Sequence, residues 1–199
     1  FGDASYVFEP TLSLTGGCTT SLRDPVPDPG PCPGTPGVDH PSAAFKNPNV
    51  TTDAYGDIYV VSGEGGVRHI DVFDPEGTFI TEFEDKLRPL AIAVDSKGNV
   101  YVTEEPIFIE ERRVVRFSPT VYKPKAKEIK YEQPPVVVAD ESTKKFFSLG
   151  FGSSVAVDAN DLVYIDQTQG VSIFKSAEDG NEPVKIGAIS GLERSGSIA

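Results

Sequence analysis

Three aspartates, Asp53, Asp95 and Asp158, occupy one position of a repeated phrase. Carboxylates that recur in this way can converge from neighbouring repeats onto a divalent cation, which would polarise a carbonyl or activate a water. Glu104, Glu105 and Asp166 stand at the far end of the same phrase, where they could line a rim and bind such an ion. Histidine is scarce: the chain holds His40 and His69, so a Ser-His-Asp constellation would rest on one of them. His69 lies in the run Arg68 to Phe73 (RHIDVF). Strand alternation there puts His69, Asp71 and Phe73 on one face and Ile70 and Val72 on the other, the setting of a surface or interstrand histidine. His40, between Asp39 and Pro41, reads as a loop residue. The aspartates also have a local explanation. Asp at the head of a turn accepts hydrogen bonds from the N–H groups that follow it, and a residue that every turn needs recurs for that reason alone. The expectation is no catalytic and no cofactor-binding residue, with Asp53, Asp95, Asp158, Glu104 and Asp166 as weak candidates for a metal.

The elements that must position these residues follow from the phrase itself. Its copies are Val50 to Val60 (VTTDAYGDIYV), Ile92 to Val102 (IAVDSKGNVYV) and Val155 to Ile165 (VAVDANDLVYI). Each is an apolar run, an Asp, a few turn-forming residues and a second apolar run, which predicts strand, tight turn, strand. A third strand follows each copy: Ile70 to Pro75 (IDVFDP), Val114 to Pro119 (VVRFSP) and Val171 to Ser176 (VSIFKS). Two of these stop at Pro, which has no N–H to give to a ladder. Thr78 to Phe83 (TFITEF) reads as a fourth, outer strand. The repeated aspartates are 42 and 63 residues apart, and a four-stranded unit of about 42 residues fits a β-propeller blade. The longer interval predicts an enlarged outer hairpin or loop between Ser118 and Ser148.

At the termini, Tyr6 to Pro10 (YVFEP) matches the ending of a third strand, and Gly196 to Ala199 (GSIA) matches Ser153 to Ala156 (SSVA). The chain therefore divides into 1–17, the end of a preceding blade or N-terminal strands; 18–41, a Pro-rich, Cys-bearing loop; blades at 42–86, 87–149 and 150–194; and 195–199, the start of a further blade. The fold class expected is all-β, with propeller blades of four antiparallel strands in an incomplete propeller. The remaining blades would come from a longer chain or from a partner.

Composition narrows the partners. A formal net charge of -12 would repel phosphate backbones, so no nucleic-acid partner is expected. No apolar run approaches the roughly 20 residues that cross a bilayer as a helix, so no membrane insertion is expected. Cys18 and Cys32 bracket a Pro-rich segment. Closing a loop of about 15 residues would contribute on the order of 3 kcal/mol in the chain-entropy model, and a disulfide there would place the protein outside the cytosol. Lys123, Lys125, Lys127 and Lys130 read as a solvated hairpin whose charges keep an exposed edge from aggregating. Tyr59, Tyr101 and Tyr164 recur in the second strands and are expected to pack between neighbouring sheets rather than to form a sugar platform.

Phe45 to Asp53 (FKNPNVTTD), Leu87 to Asp95 (LRPLAIAVD) and the continuation Asp-x-x-Gly-Asn/Asp, apolar residue, Tyr-Val in the first two copies resemble NHL repeats. The third copy departs from the pattern, because Asn160-Asp161 stands where the others have Gly. The resemblance implies a propeller, commonly of six blades, that serves mostly as a binding platform, in many bacterial members as part of a secreted or cell-surface protein. It sets the functional expectation: a noncatalytic, extracellular or cell-surface module binding a protein or glycan partner. The alternative is a metal-dependent propeller lyase or hydrolase, since some similar propellers hold a divalent cation in the central channel.

Overall fold

The computed structural model describes residues 49–61, 68–85, 87–105, 112–132, 134–140, 154–167, 170–175 and 183–192. Cys18, Cys32, His40 and both terminal segments lie outside these residues. The described chain is all-β, in three four-stranded antiparallel sheets and one two-stranded hairpin. The first sheet runs β1 (Asn49–Thr52), β2 (Ile58–Val61), β3 (Arg68–Phe73), β4 (Phe79–Asp85) in both sequence and space. The second uses β5 (Arg88–Val94), β6 (Val100–Glu105), β7 (Arg113–Phe117) and, after an insertion, β10 (Val136–Asp140). The third uses β11 (Val155–Val157), β12 (Leu162–Gln167), β13 (Gly170–Lys175) and β14 (Val184–Ser190). Neighbouring first strands meet, β5 lying against β1 on one side and β11 on the other. This is the radial stacking of propeller blades.

Alternation along each strand divides its residues between two blade interfaces. Ile92, Val100, Val102, Val115 and Phe117 of the second sheet join Tyr59, Val61, Ile70, Val72 and Phe83 of the first in one core. Ala91, Ala93, Tyr101 and Val114 join Val155, Val163, Ile165 and Phe174 in the next. The side chains of Tyr59 and Tyr101 are fully buried in these seams, as the repeat predicts for core tyrosines, whereas Tyr164 is only half-buried. Small residues sit where the strands crowd, Ala91 and Ala93 both on β5. Pro89 stands next to a register shift between Pro89 and Ala91, where its missing N–H costs the ladder nothing. The freed Ala91 N–H donates instead to Thr103 Oγ1 at 2.9 Å.

The insertion between β7 and β10 holds a hairpin, β8 (Val121–Lys123) and β9 (Glu128–Lys130), joined by a 3-10 turn over Pro124–Ala126. It is not the wholly solvated outer hairpin that its lysines suggest. Only one face is wet. The other carries Ile129, 2% exposed, into the core between the first two sheets, with Tyr131 stacked on Phe83 at a centroid distance of 4.2 Å. The hairpin thus folds back from the second blade onto the first. Among the described residues no helix is long and apolar enough to cross a membrane.

Candidate functional site

Antiparallel order sends the repeated Asp turns to one end of the sheets and the connections following β2, β4, β6 and β12 to the other. At the first end the aspartates are consumed by their turns. Asp53 Oδ1 accepts the N–H groups of Tyr55 at 2.8 Å and Asp57 at 2.9 Å. Asp95 Oδ1 accepts those of Lys97 at 3.0 Å and Asn99 at 2.8 Å, and Asp158 Oδ1 those of Asn160 and Leu162, both at 2.9 Å. The second oxygen of each takes a phenol. Tyr101 serves Asp95 at 3.3 Å and Tyr164 serves Asp158 at 3.1 Å, each from the strand that follows its own turn. In the first blade the hairpin intervenes: Tyr122 donates to Asp53 at 2.8 Å, and Tyr59 lies 3.4 Å from the Tyr131 hydroxyl instead. One turn-capping unit thus accounts for the recurring Asp and Tyr in the second and third blades, and in the first Tyr122 of the hairpin takes the part of Tyr59.

The other end collects buried polar groups. Asp85, Glu104 and Asp166 are each 2% exposed. Asp85 closes β4 and Glu104 lies near the end of β6, so the two come from adjacent blades. Glu104 faces the first sheet, in alternation with Val100 and Val102, and there meets Asp85. Arg113, opposite Glu104 in the ladder, donates from Nε to Glu104 Oε2. Asp85 Oδ1 accepts the Leu87 N–H at 2.9 Å. Its Oδ2 has no donor among the described residues. Two carboxylates are both acceptors, so this contact is satisfied when they share a proton, and like charge opposes ionising both. Burial first, and the neighbouring Glu104 second, push the Asp85 carboxyl up to about 8. The pair is an acid beside a second carboxyl that an arginine holds in place.

Asp166 does not join it. It takes in the third sheet the place that Thr103 holds in the second, one residue before the Glu104 position, and alternation turns it to the opposite face. Its Oδ1 lacks a partner among the described residues. Gln167 occupies the Glu104 position of the third blade. His69 pairs with Glu84 across β3 and β4, on the face shared with Asp71; burial first, then Glu82, push Asp71 up to about 7. Sequence reasoning singled out Glu104 and passed over Asp85 and Arg113. The available signal was an acid at the junction of two blades, two residues before the phrase that opens at Leu87.

A resident divalent cation, implied for some similar propellers, is not matched by the donors among the described residues. Among the described residues no three of His, Cys, Asp and Glu come together to hold a metal ion, and Asp53, Asp95 and Asp158 spend both carboxylate oxygens on their turns and tyrosines.

Comparison with known proteins found no matching family model and no matching curated protein. Solved structures do match. A gluconolactonase from Xanthomonas campestris superimposes with a TM-score of 0.51 and 14% identity, covering 75% of this chain and 49% of that one. A gluconolactonase candidate gives a TM-score of 0.48 and 16% identity, covering 75% of this chain and 50% of its own. The chain spans about half the length of these neighbours. At such identity the likeness shows the propeller fold. The expectation of a noncatalytic binding or scaffold module is corrected at this point: the Xanthomonas structure that shares the fold is a gluconolactonase, an enzyme, and the buried Asp85–Glu104 pair is a group with acid–base capacity rather than a solvated binding face.

Proposed function

We propose that this chain forms part of a propeller hydrolase that opens a small cyclic ester, with Asp85 and Glu104 as its acid–base pair. The observation that carries the reading is the contact of two buried carboxyls from adjacent blades, one protonated near neutral pH and the other held by Arg113. The Xanthomonas gluconolactonase supports it through shared architecture, and the NHL-like phrases agree with a propeller of that wider kind. Placement outside the cytosol is part of the proposal and rests on a Cys18–Cys32 disulfide.

In the reaction, Glu104 takes a proton from water as the water oxygen bonds to the lactone carbonyl carbon. Asp85 gives its proton to the ring oxygen as the ring C–O bond breaks, and the product is an open hydroxy acid. A pair that divides one proton supplies base and acid in the same step. Arg113 keeps the Glu104 carboxylate oriented, and Asp85 is tethered by the Leu87 N–H.

The test is hydrolysis of a panel of small lactones by the purified chain and by Glu104→Gln and Asp85→Asn, followed as acid release. Each substitution is expected to lower kcat by 10² to 10⁴, the usual worth of positioned acid–base catalysis. Wild-type inactivity on the whole panel, or variants as active as wild type, would overturn the assignment.

A further inference from the structure

The inserted hairpin enters the first blade at a place of concentrated negative charge. The first turn carries Asp53 and Asp57, and the turn after β3 carries Asp74 and Glu76. Asp57 and Asp74 are 2% and 1% exposed. Asp74 Oδ1 accepts the Thr78 N–H at 2.7 Å, and its Oδ2 meets the Lys127 ammonium. Asp57 Oδ2 has no partner among the described residues. Lys127 stands at the hairpin tip with a φ of +54°, and its side chain is 56% exposed. The other hairpin lysines are placed differently: Lys123 and Lys130 pair with Glu128 of the hairpin itself, at 3.0 and 3.5 Å.

Two tyrosine hydrogen bonds flank this ion pair. Tyr122 donates to Asp53 on one side of the tip, and Tyr131 donates to the Gly98 carbonyl at 2.6 Å on the other. The contacts reach 33 to 69 residues back along the chain. The hairpin therefore bridges the turn-side ends of two blades.

We propose that the β8–β9 hairpin is a charge-gated strap: the Lys127 ammonium seats its tip in a cradle formed by Asp57, Asp74 and Glu76, and loss of that one charge loosens the hairpin over the seam between the first two blades. A buried carboxylate deprived of its partner is a costly state, and here removing Lys127 leaves several together. Burial first, then the charges of Asp53, Asp74 and Glu76, push Asp57 up to about 6, and Lys127 opposes them. The carboxyls of the first turn and of the turn after β3, with Lys127, Tyr122 and Tyr59, are the groups around it. Discharging Asp57 below pH 6 lightens the repulsion that a lysine-less cradle would suffer. The strap lies at the turn end of the sheets and stands independently of the hydrolase reading.

Amide hydrogen exchange of residues 120–130 tests it, in wild type and in Lys127→Met, Lys127→Arg and Lys127→Met/Asp74→Asn. All four share the positive φ at position 127, so tip strain cancels. Protection of the hairpin is expected to fall tenfold or more in Lys127→Met at pH 8, to recover in part at pH 5, and to be kept by Lys127→Arg. The double variant, which removes both charges, is expected to restore it and covers the case in which Lys127→Met fails to fold. Unchanged protection in Lys127→Met, equal loss in Lys127→Arg, or no rescue in the double variant would each overturn the proposal.

Discussion

Gly98 offers a direct measurement of how tightly the hairpin is seated. It has a φ of +78°, and a Cβ added there would stand 2.4 Å from Tyr122 Cδ2. Gly191 supplies the control, with a φ of +83° and nothing within 4 Å of its own added Cβ. An alanine at either site meets the left-handed penalty of about 1–2 kcal/mol. Gly98→Ala must in addition displace the Tyr122 ring, and with it the phenol-to-carboxylate hydrogen bond to Asp53, worth about 1.5–3 kcal/mol for a charged acceptor. The expected cost at Gly98 is then roughly 2.5–5 kcal/mol, against about 1–2 at Gly191. At about 2–4 °C per kcal/mol for a chain of this size, Gly98→Ala lowers Tm by roughly 5–20 °C. Differential scanning fluorimetry reads both variants, and a cycle with Tyr122→Ala separates the terms. Once the ring is gone, Gly98→Ala should cost no more than Gly191→Ala. If Gly98→Ala matches Gly191→Ala in the wild-type background, or the cycle is additive to within about 0.5 kcal/mol, the seating of Tyr122 against the turn is wrong.

The buried carboxyls set the response to pH. Asp57, Asp71 and Asp85 have folded pKa values raised to about 6, 7 and 8, so the stability that they contribute at low pH is lost as pH rises through those values. Denaturant midpoints are expected to climb as the buffer falls from about pH 8.5 to 5.5, and to drop again at lower pH, where Asp74 and Asp158, both depressed by hydrogen bonding, lose theirs; a midpoint rising with pH over that upper range would refute the assignment. Asp161 holds a φ of +59° and binds the turn of the second blade with both oxygens, at 2.8 Å to Ser96 N and 2.6 Å to Ser96 Oγ. Asp161→Ala keeps the strain and loses the bonds, for roughly 1–3 kcal/mol, whereas Asp161→Gly sheds both and should stay within about 1 kcal/mol of wild type; urea titration showing the reverse order would count against the clasp.

How much was readable in advance divides by range. The strands, their antiparallel order and the burial of Tyr59 and Tyr101 follow from local pattern, because a turn and its flanking strands lie within one phrase. The hairpin's docking was not readable: Lys123, Lys125 and Lys130 look like an exposed edge, and what sinks the other face is the fit of Ile129 and Tyr131 against residues of the first sheet. The candidate site behaved in the same way. Glu104 was visible as an acid beyond the repeat, but its partner Asp85 belongs to the previous blade, and no spacing rule joins them. The third turn was legible as a departure, Asp161 for Gly, without its reason. The reason is an interaction with Ser96, 65 residues away.

That separation of ranges also orders assembly. Each sheet closes through hairpins between consecutive strands, apart from the β7–β10 pair across the insertion, whereas the Tyr122–Asp53 contact spans 69 residues and the Tyr59–Tyr131 contact 72. Loop-closure entropy delays such distant pairings until local structure has brought their ends together. The hairpin should then dock on blades already formed, and its bonds should be absent from the folding transition state. Its grip would show in the unfolding rate and leave the folding rate almost untouched. A segment that adds little to how fast the chain folds thereby governs how long it stays folded.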